Sequence, residues 1–227
     1  MSTRMVEVRA KVLKQNDVLA RSLREKFQRE GTCVVGLVSS PGSGKTAFLE
    51  KLLARLAQEH RVAALVGDLA TENDAARLQR ATPNVKQITT GTICHLDAQM
   101  VQQALDSWDV GPVDFLFIEN VGNLVCPSSY DLGEEFRFVL LSATEGEDKP
   151  LKYPTIFNSS DAAIITKMDF AEAAEFDLAT ARRNIEGVRP GMRIFEVSAK
   201  TGAGMDVVVD FLRSQLAHSR ETLAVGS

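Results

Sequence analysis

Short apolar runs recur along this chain, with longer stretches of helical period between them. Cys33–Val38, Arg61–Val66, Phe115–Ile118, Phe136–Leu141, Ala162–Ile165 and Ile194–Val197 are mostly apolar and have the length of buried strands. Strands that alternate with helices build βαβ units, so the pattern predicts an α/β fold with a mostly parallel sheet covered by helices on both faces. Ahead of the first run, Val18, Leu19, Leu23 and Phe27 recur at helical spacing among charges between Asp17 and Glu30, and Gly31 stops the pattern. The expected division is an amphipathic helical extension over 1–31 packed on the main domain, an α/β domain over 32–219, and a flexible tail over 220–227. Two connections, Glu119–Asp131 and Ala143–Pro154, are long for a compact domain, and loops of that kind tend to carry function.

Composition narrows the function classes. The chain has 227 residues, 44% hydrophobic and 25% charged, enough for one large core plus a short appendage. The net charge is −4 with no basic block, which argues against nucleic acid and anionic membranes as partners. No apolar run approaches the roughly 18 residues of a membrane span, and the mixed-polarity start lacks the apolar stretch of a secretory signal, so a cytoplasmic location is expected. Three cysteines are too few for a disulfide framework; a special cysteine here would be a ligand or a nucleophile.

Ser39-Ser-Pro-Gly-Ser-Gly-Lys-Thr46 follows a strand and opens a helix, the setting a phosphate-binding loop requires. Pro41, Gly42, Ser43, Gly44, Lys45, Thr46 and Ala47 are the candidate phosphate cradle, with Lys45 on the β and γ phosphates and the Thr46 hydroxyl on Mg²⁺. Ser39 replaces the usual first glycine. Thr166-Lys-Met-Asp169 after the Ala162 strand and Ser198-Ala-Lys200 after the Ile194 strand resemble the guanine-reading segments of G proteins. The Asp169 carboxylate can accept both N–H donors of a guanine edge, a pair that adenine lacks. Thr166 stands where asparagine is usual, so a weaker brace to the phosphate loop is expected, while Lys167, Ala199 and Lys200 complete the set. Asp169 as a helix N-cap and Ser198 as a plain turn residue are the blander alternatives. Asp68 and Glu119 end strands near the expected cation position and join Thr46 as candidate Mg²⁺ ligands. Glu119-Asn-Val-Gly122 reads as a switch whose glycine N–H meets the γ-phosphate. Asp74 fits either a water-orienting residue or part of a helix capping box begun by Thr71.

Cys94 and His95 precede an amphipathic helix, and Cys126 lies on the same long connection as Glu119. Thiolate and imidazole together suit a borderline-soft ion such as Ni²⁺ or Zn²⁺, with a fourth ligand from water, substrate or a second copy of the chain. Buried cysteines beside a loop histidine are the alternative on spacing alone. Sharing a connection with Glu119 makes nucleotide-dependent movement of Cys126 the reading to test, and such coupling would be reciprocal. Cys33 reads as a small buried hydrophobe.

The phosphate loop, Cys94-His-Leu-Asp97, Glu119-Asn-Val-Gly-Asn-Leu-Val-Cys-Pro127 and Asp148-Lys-Pro-Leu-Lys-Tyr-Pro154 together resemble the HypB family of hydrogenase nickel-incorporation GTPases, over about Cys33 to Phe211. The resemblance implies a slow P-loop GTPase that dimerises with GTP and binds Ni²⁺ or Zn²⁺ through Cys94, His95 and Cys126. It further implies a HypA-type nickel chaperone and the large subunit of nickel–iron (NiFe) hydrogenase as partners. It also places Lys149 and Lys152 against the other subunit or its nucleotide, the alternative being a solvated loop. The Cys-rich or His-rich N-terminal stretches of some members are not present, and Gln99 and Gln103 stand where some carry further histidines. No arginine finger is evident. A metal carrier with a structural nucleotide and a small-molecule P-loop kinase are the competing classes.

Overall fold

Apolar runs at β1 (Cys33–Ser39), β2 (Val62–Asp68), β4 (Phe115–Glu119), β5 (Phe136–Ser142), β6 (Ala162–Thr166) and β7 (Arg193–Glu196) form strands where the sequence expects them. A further strand, β3 (Val85–Thr89), was not expected. The structure, a computed structural model, describes residues 3–69 and 73–225. Among these residues the seven strands form one sheet in the order β3-β2-β4-β1-β5-β6-β7, with every adjacent pair parallel. Strand β3 escapes the sequence pattern because it lies at the sheet edge, where Val85 and Ile88 suffice to hold it and polar neighbours stay half-exposed. Its Lys86 ammonium caps the carboxyl end of α4 (Ala98–Asp106), donating to the carbonyls of Ala104 (2.9 Å) and Ser107 (2.7 Å).

Alternate residues of each central strand point to opposite faces. On one face α2 (Lys45–Leu56), α3 (Asn73–Leu78) and α8 (Met205–Val225) bury Phe48, Leu52, Val208 and Leu212 against Val35, Leu37, Phe117 and Phe138. On the other, α6 (Pro154–Asn158) and α7 (Leu178–Val188) bury Ile156, Phe157 and Ile185 with Val139 and Ile165. The connection from β4 to β5 holds only a 3-10 turn at Cys126–Ser129. The face it leaves bare is covered by α1 (Thr3–Glu30), whose Ala20, Leu23 and Phe27 are buried with Val34, Leu116 and Leu132.

Helix α1 therefore belongs to the core of the main domain, and it is longer than the stripe over Asp17–Glu30 suggests. The stripe breaks at Asn16 because that side chain is a buried polar clip: its amide donates to the Asp131 carbonyl (2.8 Å) and accepts the first N–H of α4 from Ala98 (2.9 Å). At the other terminus the expected tail from 220 is instead helical through Val225, because the Arg220 guanidinium reaches Asp114 (2.5 Å) and ties the helix to the base of the sheet. The stretch Ala143–Pro154, expected as loop, is mostly helical: a 3-10 turn at Ala143–Glu145 leads into α5 (Lys149–Lys152) and the start of α6. Pro150 and Pro154 sit in the first turns of α5 and α6, where a missing N–H costs nothing. Among the described residues no helix is long and apolar enough to cross a membrane.

Candidate functional site

The segment Ser39–Thr46 turns from β1 into α2 through Gly42 (φ 76°) and Gly44 (φ 88°), left-handed positions that a β-carbon would strain. No side chain caps α2, so its first-turn amides are left for an anionic ligand or water. A cavity of about 420 Å³ opens there, lined by residues 39–47 together with Asp68, Leu69, Asp74, Arg77, Val121 and Gly122. Pro41, Gly42, Ser43, Gly44, Lys45, Thr46, Ala47, Asp68, Asp74 and Gly122, all expected from sequence, thus share one space.

Glu119 lies behind this lining, against Lys45 and Thr46. It is fully buried, and its Oε1 accepts from Lys45 Nζ and Thr46 Oγ1, each at 2.7 Å. Its Oε2 is buried without a hydrogen-bond partner among the described residues. A carboxylate oxygen left bare in the interior is costly unless a cation takes it. Beside the Thr46 hydroxyl it offers the hard oxygen donors that Mg²⁺ prefers. The register pairs Val66 with Glu119, so Asp68 lies two residues farther along β2, on the same face as Val66 and beside the cavity. Gly122 lies against the phosphate loop: a β-carbon there would meet Pro41 Cα at 3.0 Å. Asp74 sits in the first turn of α3, and the Thr71 part of its capping reading lies outside the described residues.

Besides Leu69 and Val121, two charged residues of this site were not singled out from sequence. Arg77, one helical turn beyond Asp74, also lines the cavity, and Glu50 holds its guanidinium at 2.6 Å. The i,i+3 spacing from Asp74 was the available signal. Glu145 accepts from the Ser40 hydroxyl and from the Ser142 N–H (3.1 Å), bracing the phosphate loop from the end of β5. Ser142-x-x-Glu145 is a capping box that sequence alone could have revealed.

At the carboxyl ends of β6 and β7 the base-reading candidates meet. Ser198 Oγ donates to Asp169 Oδ1 at 2.6 Å, and the Met168 N–H donates to the Val197 carbonyl. Asp169 lies inside a 3-10 turn at Met168–Phe170, so it is not a helix N-cap. The expected weak brace at Thr166 is in fact made, because the shorter side chain donates to the Ser43 carbonyl at 2.6 Å. Lys167 adopts a left-handed backbone (φ 57°), and its ammonium reaches the Gly42 carbonyl at 2.8 Å. Ala199 follows Ser198 in the turn after β7, and Lys200 lies over the Phe170 ring (5.1 Å).

The adjacent pair Cys94 and His95 and the distant Cys126 bring their ligand atoms within 4.8 Å of one another. The two sulfurs are 2.9 Å apart. The His95 ring packs against Tyr130, tilted by 33°, at a centroid distance of 4.0 Å. Burial, opposed in part by Asp97, lowers the His95 pKa and favours the neutral imidazole that a metal requires. Asn123 ties the two cysteine segments together, donating to the Cys94 carbonyl (3.3 Å) and accepting from the N–H groups of Val125 (2.8 Å) and Cys126 (3.4 Å). Asn123 lies inside the Glu119–Pro127 string but was not singled out there, and Tyr130 carried no sequence signal. Cys33 stands apart in the core, where burial and then Glu135 push its thiol pKa far up, the inert state expected of it.

Residues 33–196 match the family model described as CobW/HypB/UreG, nucleotide-binding domain. The chain is 41% identical over 226 residues to the hydrogenase/urease maturation factor HypB of Helicobacter hepaticus, covering 98% of this chain and 93% of that protein. Its fold is similar to a crystal structure of HypB from Helicobacter pylori in complex with nickel, with a TM-score of 0.83, 42% identity, and coverage of 92% of this chain and 96% of that one. The HypB structure from Archaeoglobus fulgidus is similar at a TM-score of 0.83 and 38% identity, over 89% and 99% of the two chains.

Proposed function

Because the chain belongs to the CobW/HypB/UreG family, and within it to the HypB hydrogenase maturation factors, we propose that it is a slow GTPase whose nucleotide state drives delivery of nickel. Lys45 and the amides of residues 41–47 bind the phosphates, and Thr46, Asp68 and Glu119 hold Mg²⁺. When bound, that ion neutralises charge on the β and γ phosphates. Asp74 orients a water that attacks the γ-phosphorus, and the bond to the β–γ bridging oxygen breaks to give GDP and phosphate. Asp169 accepts the guanine N–H pair, with Ser198 holding its other lone pair and the Ala199–Lys200 turn at the base oxygen. Slow turnover fits an Arg77 that Glu50 engages and, among the described residues, no other arginine lining the cavity.

Cys94, His95 and Cys126 are the proposed ligands for Ni²⁺ or Zn²⁺ as cargo, and the nickel complex of the Helicobacter pylori relative supports that reading. A homodimer formed with GTP, a HypA-type chaperone as the nickel source and the NiFe hydrogenase large subunit as recipient complete the proposal, with Lys149 and Lys152 at the subunit contact. The carrying observation is that Glu119 and Cys126 lie on one connection that contains no α-helix, with the three soft ligands already within 4.8 Å. The test is calorimetric titration of Ni²⁺ and Zn²⁺ into the GDP-bound and GTP-analogue-bound protein, with mass by light scattering. Metal affinity or stoichiometry is expected to change with nucleotide, and mass to shift toward a dimer with the analogue. Identical metal binding and unchanged mass would sink the proposal.

A further inference from the structure

Leu96 stands where the metal cluster meets the nucleotide cavity. It follows His95 and is fully buried. Its backbone N–H donates to Asn120 Oδ1 at 2.9 Å, and Asn120 is the residue directly after Glu119. The same oxygen accepts the Val121 N–H at 2.9 Å, while the Asn120 N–H donates to the Leu37 carbonyl of β1 at 3.0 Å. On its other side the Leu96 side chain occupies the space over Gly67, the residue directly before Asp68. A β-carbon on Gly67 would lie 2.7 Å from Leu96 Cγ and 2.9 Å from both of its methyl carbons. One residue of the metal segment is therefore seated on the neighbours of both carboxylates beside the phosphate cavity.

We infer that Asn120 and Gly67 are positioning residues that transmit nucleotide state to Cys94 and His95 through Leu96. The inference rests on the coupled GTPase reading above and names the parts that carry the coupling. A bound phosphate competes with Glu119 for Lys45, so Glu119 changes partners when nucleotide arrives. Asn120 is 2% exposed, and a Leu96 N–H left without its acceptor in that dry interior would be costly. The bond is kept by moving Leu96 with the Glu119 segment, and the Gly67 seat sets the direction in which Leu96 gives. His95 and Cys94 then shift relative to Cys126, a movement that works against the long 3.3 Å bond from Asn123, which also accepts from the Cys126 N–H, to the Cys94 carbonyl. By reciprocity, metal at the cluster alters nucleotide affinity through the same two contacts.

The test uses the full chain in wild-type, Asn120→Ala, Asn120→Asp and Gly67→Ala forms. Ni²⁺ affinity is measured with GDP and with a non-hydrolysable GTP analogue, following the nickel–thiolate charge-transfer band as well as heat. A metal-free readout, the alkylation rate of Cys126 with each nucleotide, accompanies it. The wild type is expected to show a nucleotide-dependent affinity ratio of about fivefold or more. Asn120→Ala is expected to bring the ratio within about twofold of unity and to remove the nucleotide dependence of alkylation, with both nucleotides still bound. Asn120→Asp, which keeps the acceptor oxygen, is expected to retain the ratio, and Gly67→Ala to change it. An Asn120→Ala protein that binds nucleotide and Ni²⁺ yet keeps the wild-type ratio overturns this inference alone. A wild-type ratio of one overturns the coupled reading and this inference with it. If circular dichroism shows Asn120→Ala to be unfolded, Asn120→Leu, which also lacks an acceptor but keeps the volume, is read in the same way.

Discussion

Asp169→Asn tests whether this site reads guanine. One lone pair of Oδ1 is taken by the Ser198 hydroxyl at 2.6 Å, which leaves the rest of the carboxylate for the two N–H donors of the guanine edge. Hydrogen bonds to a charged group contribute about 1.5–3 kcal/mol each; asparagine loses one outright and keeps the other only as a weaker neutral bond, so the change costs roughly 2–5 kcal/mol. At 1.4 kcal/mol per tenfold, GDP affinity should fall by roughly 30-fold to 3,000-fold. The asparagine amide turns one acceptor into a donor, and xanthine carries a carbonyl where guanine has its amino group. The variant should therefore regain affinity for XDP relative to wild type. Calorimetry with GDP, XDP and ADP on both proteins measures this. A variant that keeps GDP affinity within about tenfold of wild type, or shows no gain for XDP, would refute the assignment of Asp169 to the base.

The remaining predictions address the Lys45–Glu119 pair and the attachment of the N-terminal helix. Lys45→Ala strands the buried Glu119 with only the Thr46 hydroxyl, and should destabilise the nucleotide-free protein by about 3 kcal/mol in urea titrations while GTP hydrolysis falls; an unchanged midpoint would show that the pair contributes nothing. Leu23→Ala, at a side chain 1% exposed beneath α1, should cost about 2–5 kcal/mol. A loss well below 1 kcal/mol would mean that α1 is not part of the core. Burial raises the Asp131 carboxyl, but its bonds to Arg24 and the Gly133 N–H outweigh this and hold it below the usual carboxylate range. Its contribution is thus present above the unfolded value of about 3.9 and is lost as pH falls through the folded value. The stability gap between wild type and Arg24→Ala should accordingly shrink below about pH 3; a gap of constant size would remove Asp131 from the account.

Local patterns were readable wherever one element carries the information. The phosphate loop, the strand-end carboxylates Asp68 and Glu119, and the two base-reading turns each lie within a few residues of one strand end, so spacing along the chain already sets their relative positions. Parallel order then follows, because βαβ units bring the carboxyl ends of their strands to one side. The edge strand β3 and the clip at Asn16 escaped because each breaks the apolar period for a tertiary reason, the first by being half-exposed and the second by serving the end of another helix. Cys94 and Cys126 are 32 positions apart and carry no spacing signature. Cys94 follows β3 and Cys126 follows β4, strands separated by β2, so their contact depends on the segment after β3 crossing the end of β2, where Leu96 covers Gly67, to meet the segment after β4. Leu96 over Gly67 and under Asn120 depends on β2 and β4 being sheet neighbours. The sequence by itself determined the chemistry available at each strand end, since a run of a few residues specifies its own local geometry. Which ends touch was decided only by the tertiary structure, because strand order is set by burying both faces of the whole sheet at once.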